Sequence, residues 1–212
     1  MRLLVATRNP GKVREIREIL AAYPGLEIVG LAELRIRESP EEDDIEGFDT
    51  FEENALAKAR YFAARTACTA LADDSGICVD ALGGAPGVRS RRFAPDADQR
   101  GAGQDQANNR HLLARLEDVP DAERTARYVC AAAIADPAGG TLVRTGTCAG
   151  VILREPRGSG GFGYDPLFYL TAEGVTFGEL PPARKNELSH RGRAVRAVAE
   201  ALAGVDHNGG VG

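Results

Sequence analysis

Lysine is scarce in this sequence: of 26 basic residues only Lys12, Lys58 and Lys185 are lysines, and arginine serves everywhere else. An ammonium is a compact point charge that approaches phosphate oxygens without a planar fork. The three positions that keep lysine are therefore candidates for phosphate contact, with chance as the alternative. Long apolar runs are missing too, so no segment is predicted to span a bilayer. The opening MRLLVAT passes into charged, helix-forming sequence and not into a small-residue cleavage site. No leader and no membrane partner are expected, and the chain is read as cytoplasmic. There is no excess of positive charge. A formal net charge of -5 excludes a general nucleic-acid binder, which needs a basic face to neutralise the backbone, and leaves small anionic ligands held by local cations. Cys68, Cys78, Cys130 and Cys148 form no C-x-x-C pair, and His111, His190 and His207 are not at ligand spacing from any of them. Buried free thiols are expected, not zinc.

What is present reads as alternating strands and helices. Leu3 to Thr7 has the pattern of a short buried strand, and Lys12 to Tyr23 that of an amphipathic helix with Val13, Ile16, Ile19 and Leu20 on one face. Leu26 to Leu31 reads as a second strand, and the acidic stretch Glu38 to Gly47 as a solvated loop. Thr50-Phe51-Glu52-Glu53 has the form of a capping box opening a helix to about Arg65. Two short apolar runs flank Asp73-Asp74-Ser75-Gly76, which predicts a strand, an acidic turn and a second strand. Gln104 to Leu116 reads as a helix behind a polar, Gly-rich segment, Ala94 to Gly103, expected to be mobile. Strands are predicted at Ala126 to Ala135 and Thr141 to Leu153, joined by the hairpin turn DPAGG, with a short strand at Leu167 to Tyr169. Leu188 to Ala203 reads as the last helix. Residues 1–204 are taken as one α/β domain and residues 205–212 as a disordered tail.

Four constellations can carry chemistry, and each has a plainer alternative. Thr7-Arg8-Asn9-Pro10-Gly11-Lys12 lies between a strand and a helix, where open backbone N–H groups and the positive end of the helix dipole can hold a phosphate. It lacks the Walker glycine spacing, so a tight turn explains it equally well. Asp73 and Asp74 would point to opposite faces if the backbone stays extended, and one of them facing a ligand could hold Mg²⁺ or orient a water. The alternative is a solvated Asp-Ser-Gly turn. Phe162-Gly163-Tyr164-Asp165 puts two aromatics and an acid in a glycine frame suited to a flat ligand, or else to capping the core. Lys185 with Ser189-His190-Arg191-Gly192 supplies donors that could read carbonyl oxygens on a base, or face solvent.

Taken in order, T-x-N-x-G-K, T-F-x-E-N-A-x-x-K-A, A-D-D-S-G-x-x-V-D-x-L-G-G-A-P-G-V, G-G-F-G-Y-D-P-x-F and S-H-R-G resemble the inosine triphosphate pyrophosphatase (HAM1-like, dITP/XTP pyrophosphatase) family. The likeness runs from Leu3 to about Leu202. It implies a mixed α/β fold with an elongated central sheet flanked by helices, two lobes with the active-site cleft between them, and a homodimer. It also implies roles. Thr7, Arg8, Asn9, Pro10, Gly11 and Lys12 would contact the triphosphate, with Lys58 also facing the phosphates. Asp74 would be the metal-bound acid that activates water, Glu46 would share the Mg²⁺, and Ser75 would contact substrate. Phe162, Gly163, Tyr164, Asp165, Lys185, His190 and Arg191 would form the base pocket. The implied reaction is Mg²⁺-dependent hydrolysis of ITP, dITP and XTP to the monophosphate and pyrophosphate, clearing them from the nucleotide pool. A Maf-like pyrophosphatase acting on other nucleotides and a non-catalytic nucleotide-binding regulator are the rival readings. The chain departs from the family pattern at Arg89-Ser90-Arg91-Arg92-Phe93, which is more basic than that pattern.

Overall fold

The apolar run that opens the chain is buried because it lies between two parallel neighbours. In the computed structural model, which describes residues 1–43, 45, 47–95 and 102–208, β1 (Arg2–Val5) pairs in parallel with β2 (Glu27–Gly30) and with β3 (Thr69–Val79). A strand flanked on both sides and covered by helices can be apolar throughout, as Leu3, Leu4 and Val5 are. The sheet has seven strands in the order β2-β1-β3-β4-β5-β6-β7, with β4 Thr125–Ala135, β5 Thr141–Ile152, β6 Phe168–Leu170 and β7 Val175–Thr176. Its far end is antiparallel: Val151 of β5 is opposite Tyr169, and Leu170 of β6 is opposite Val175. The fold is thus a mixed α/β sheet with helices α1 (Pro10–Leu20), α2 (Phe51–Thr66), α3 (Ala102–Arg115), α4 (Pro182–Leu188) and α5 (His190–Asn208). No helix among the described residues is long and apolar enough to cross a membrane.

Two compact units are distinguishable. The first comprises Met1–Asp74, Cys130–Gly146 and the segment from His190 onward. Its core joins Leu3 and Val5 of β1, Ile16, Ile19 and Leu20 of α1, and Ala194, Val195 and Val198 of α5. Gly146 of β5 lets α5 pack this closely, because a Cβ there would lie 2.3 Å from the His190 carbonyl oxygen and 2.7 Å from the Ala194 nitrogen. The second unit, Ser75–Val129 with Thr147–Ser189, has its own core of Ile77, Leu112, Leu116, Tyr128, Phe168 and Phe177. Buried Arg124 closes one end of it. Its guanidinium donates to the Leu116, Ile152 and Leu153 carbonyls at 2.6, 2.8 and 3.0 Å, which satisfies the last turn of α3 and the exit of β5.

Several sequence expectations hold. Thr50 caps α2, its hydroxyl accepting the Glu53 N–H at 3.2 Å and donating to the Glu53 carboxylate at 2.7 Å. The DPAGG turn closes with the Asp136 N–H on the Gly140 carbonyl at 2.9 Å. All four cysteines are free thiols, with Cys78, Cys130 and Cys148 buried and Cys68 half-buried.

Three expectations are corrected. Asp73-Asp74-Ser75-Gly76 is no turn: β3 runs unbroken from Thr69 to Val79, because the buried acids meet partners that remove the need for solvent. The last helix does not begin at Leu188. The backbone is extended at Ser189 (φ -70°, ψ 156°), which ends α4 and leaves His190 to start α5. Helix α5 continues to Asn208, four residues into the stretch expected as a tail. Residues 209–212 lie outside the described residues, as do 96–101 of the segment expected to be mobile.

Candidate active site

In the first unit the turn from β1 into α1 is built by its own side chains. The Thr7 hydroxyl accepts the Asn9 N–H at 3.2 Å, and Asn9 caps α1, its Oδ1 accepting from the Gly11 and Lys12 N–H groups at 2.8 and 3.2 Å. Pro10 at the first helical position needs no partner for a missing N–H. Two of the backbone donors expected to be open to a phosphate are thus occupied by Asn9. Arg8 is committed as well: its guanidinium forms a fork with Glu42 at 2.9 and 2.7 Å and donates to the Ile36 carbonyl at 2.7 Å.

Lys12 points elsewhere, to a buried charge network centred on Asp73. Its Nζ stands 3.1 Å from Asp73 Oδ2. Arg191 donates through Nε to the same oxygen at 3.1 Å, and through a terminal nitrogen to Glu15 of α1. Lys58 donates to the Asp73 backbone carbonyl at 3.1 Å. Asp73 is 0% exposed. Burial alone would raise its pKa, but the charges of Lys12, Arg191 and Lys58 together hold the carboxyl well below the usual carboxylate range. Burial would likewise depress the Arg191 pKa, and Asp73 and Glu15 reverse that and drive it up. The Cys130 thiol, 3.9 Å from Asp73 Oδ2, is pushed up by burial and by the adjacent carboxylate.

Asp74, the next residue of β3, has different company, as strand alternation requires. Asn54 of α2 donates through Nδ2 to Asp74 Oδ2 and to the Phe48 carbonyl, both at 3.1 Å, and accepts the Phe48 N–H at 3.0 Å. Asp73 thus sits among three cations, and Asp74 accepts from the Asn54 amide. Ser75 follows in the strand, half-buried. Among the described residues no three His, Cys, Asp or Glu side chains gather into a metal cage. A Mg²⁺ ion does not need one, since it commonly takes one or two carboxylates and fills its shell with water and substrate phosphate oxygens. Asp74, a hard oxygen donor oriented by Asn54, fits that demand. Glu46 lies outside the described residues.

In the second unit Asp165 organises the glycine-framed loop. Its Oδ2 accepts the Phe162 N–H at 2.8 Å and the Lys185 ammonium at 2.5 Å, and Oδ1 accepts from the Tyr128 hydroxyl at 3.4 Å. Lys185 Nζ lies 4.8 Å from the centroid of the Phe162 ring and 5.7 Å from that of Phe177. The loop demands glycine at Gly161, where φ is +73° and a Cβ would come within 2.0 Å of Asp165 Oδ2. Tyr164 is no stacking face. It is buried in the core, its hydroxyl donating to the Ser90 carbonyl at 2.7 Å, and burial pushes its phenol up.

The expected groups are thus redistributed. Lys12, Lys58 and Arg191 gather at Asp73 in the first unit, with Asp74 next in the strand, and Phe162, Asp165 and Lys185 gather in the second. His190 is buried at the head of α5, in the first unit. Glu15 and Asn54 were not singled out in the sequence. Glu15 carried a visible signal, an acid one turn before Ile19 on the apolar stripe of α1.

The chain is thus an α/β protein whose first unit holds a buried cluster of cations around Asp73 and whose second unit holds a lysine between a carboxylate and an aromatic ring. The chain belongs to the Ham1 family, whose model matches residues 3–201. It is 50% identical over 204 residues to the dITP/XTP pyrophosphatase of Nocardia farcinica, covering 95% of each chain. To the dITP/XTP pyrophosphatase of Desulforamulus reducens it is 48% identical over 202 residues, covering 95% of this chain and 96% of the relative. A solved HAM1 protein from Coxiella burnetii superposes with a TM-score of 0.81 at 35% identity, covering 96% of this chain and 98% of the other.

Proposed function

We propose that this chain hydrolyses non-canonical purine nucleoside triphosphates, namely ITP, dITP and XTP, to the monophosphate and pyrophosphate with the help of Mg²⁺. The observation that carries the reading is the division of labour at Asp73 and Asp74. Asp73 holds Lys12 and Arg191 in place, so cationic groups stand ready for a polyphosphate without reorganising when it arrives. Asp74, oriented by Asn54, takes the remaining role of binding the ion and directing a water at the α-phosphorus. When bound, Mg²⁺ would neutralise phosphate charge and make its coordinated water more acidic. An oxygen–phosphorus bond forms as the bond from the α-phosphorus to the bridging oxygen breaks. Lys12 and Lys58 stabilise the charge that collects on the departing pyrophosphate.

Base recognition falls to the second unit. The Phe162 ring offers a face for a purine. Lys185, held by Asp165, presents a donor that matches a 6-oxo acceptor. A 6-amino group facing that donor leaves both unsatisfied, at about 1–3 kcal/mol per buried group, or roughly 5- to 150-fold in discrimination. The family resemblance also supports a homodimer that acts on free cytoplasmic nucleotides, with no nucleic acid or membrane partner; light scattering tests the dimer.

The deciding experiment measures pyrophosphate release from ITP, XTP, dITP, GTP, ATP and dTTP, first with Mg²⁺ and then with EDTA. Metal-dependent turnover of the inosine and xanthosine substrates, with ATP weak, is the expected result. Equal rates on every nucleotide would discard the 6-oxo argument, and preference for dTTP would favour a Maf-like activity. Binding without turnover would favour a regulator.

A further inference from the structure

We propose that Asp105 and Asn109 of α3 are positioning residues for base recognition, which clamp Gly163 and thereby set the Phe162–Asp165 loop against the purine. The inference rests on the pyrophosphatase reading and adds a specificity determinant to it. Asp105 Oδ2 accepts the Gly163 N–H at 2.8 Å, and Asn109 Nδ2 donates to the Gly163 carbonyl at 3.0 Å. The two side chains are four residues apart, so both project from one face of α3. They hold the peptide planes on either side of the Gly163 Cα, and so fix from outside the residue type with the widest backbone freedom. Its φ of +63° is kept by these bonds, with no side chain of its own to contribute.

The clamp bears directly on the recognition groups. Phe162, one residue earlier, carries the ring that Lys185 faces. Asp165, two residues later, is the carboxylate on which Lys185 rests. Rotation about Gly163 would therefore move the stacking face and the anchor of the donor relative to each other.

Asn109 also carries a cost that a purely structural position would shed. Its Oδ1 is buried with no hydrogen-bond partner among the described residues. Flipping the amide would set that oxygen against the Gly163 carbonyl, so the clamp dictates the orientation. The preceding residue shows what a structural asparagine looks like in the same helix. Asn108 uses both ends, accepting from the Ala94 N–H at 2.9 Å and donating to the Ser90 and Arg91 carbonyls at 3.2 and 3.1 Å.

The test compares Asp105→Ala, Asp105→Asn, Asn109→Ala and Asn109→Asp for pyrophosphate release from ITP and ATP, with thermal stability measured alongside. Asp105→Ala and Asn109→Ala should each raise KM for ITP by about tenfold, the worth of one hydrogen bond in this range. The value of kcat should stay within about threefold, and the ITP-over-ATP ratio of kcat/KM should fall. Asp105→Asn keeps an acceptor for the Gly163 N–H and should restore near-normal KM, whereas Asn109→Asp opposes a carboxylate to the Gly163 carbonyl and should be worst. If Asp105→Ala does not fold, Asn109→Ala, which removes one neutral bond, decides the matter. Lowered melting temperatures with KM and the ITP-over-ATP ratio unchanged would overturn the proposal. A wild-type protein inactive on ITP and XTP would instead remove the reading beneath it, so the two failures are separable.

Discussion

Replacing Asp73 by Asn isolates the charge at the centre of the first unit, because the side chain keeps its shape. In the native protein Asp73 Oδ2 lies 3.1 Å from both Lys12 Nζ and Arg191 Nε, and the carboxylate has no exposure to solvent. The substitution removes one of the two carboxylates paired with Arg191, itself 2% exposed, and leaves Lys12 facing a neutral amide. Removing one partner of a buried ion pair typically costs about 3–5 kcal/mol, because the remaining charge stays buried without compensation. For a chain of this size each kcal/mol lowers the melting temperature by about 2–4 °C, which gives a fall of roughly 6–20 °C. Glu15 still serves Arg191, so the lower half of that range is expected at neutral pH. Thermal unfolding followed by circular dichroism measures it. The double variant Asp73→Asn with Lys12→Met should lose less than the sum of the two single losses, since the second change removes the cation that the first left stranded. A fall of less than about 3 °C, or strict additivity, would refute the claim that this network is a coupled buried unit.

Three further outcomes are expected. Asp74→Asn should lower kcat by about 10²- to 10⁴-fold, the range for loss of a positioned acid or base, while ITP still raises the melting temperature; undiminished pyrophosphate release would remove Asp74 from the chemistry. Gly146→Ala should destabilise the first unit by about 1–3 kcal/mol or more, seen in urea unfolding, because the new Cβ meets the backbone of α5 and not a flexible side-chain tip; an unchanged midpoint would mean that α5 can move away. Tyr164 has a folded pKa raised by burial, so the unfolded chain releases this proton first. Stability should be unaffected below about pH 10 and should fall as pH rises above it. Tyrosinate absorbance should show Tyr164 ionising only as the protein unfolds, and its ionisation along with the exposed tyrosines would contradict the burial argument.

The parts of this architecture that were legible in the sequence are those dictated locally. Period and capping chemistry placed α2 within a residue of its ends, and the DPAGG turn located the β4–β5 connection. Lys12, Lys58 and Asp74 were singled out because the family resemblance assigned them roles that the scarcity of lysine and the paired aspartates left open. What was hidden depends on long-range partners. Two adjacent aspartates read as a turn because an isolated strand cannot bury carboxylates, and distant cations, Lys12 of α1 and Arg191, 118 residues away in sequence, make the interior tolerable for Asp73. Arg191 was assigned to the base pocket by the family resemblance, with solvent as the alternative, and its contacts with Asp73 and Glu15 depend on partners that no local pattern shows. For Tyr164 the sequence left a stacking ring and a cap on the core both open, and the Ser90 carbonyl that accepts from its hydroxyl lies in a segment noticed only for its arginines.

Strand β3 also constrains how this protein can change over generations. Because side chains alternate sides at every residue, the strand behaves like a two-letter reading frame in which Asp73 and Asp74 hold opposite meanings. Inserting a single residue between Leu71 and Asp73 would turn the cation-matched carboxylate toward Asn54, and deleting one would deliver Asp74 to Lys12 and Arg191, so neither change leaves both acids with their partners. Substitutions in β3 can be tested by selection one at a time, but a frameshift in the pleat cannot be accommodated in steps. The length of this segment should therefore be far more rigidly inherited than that of the loops around it.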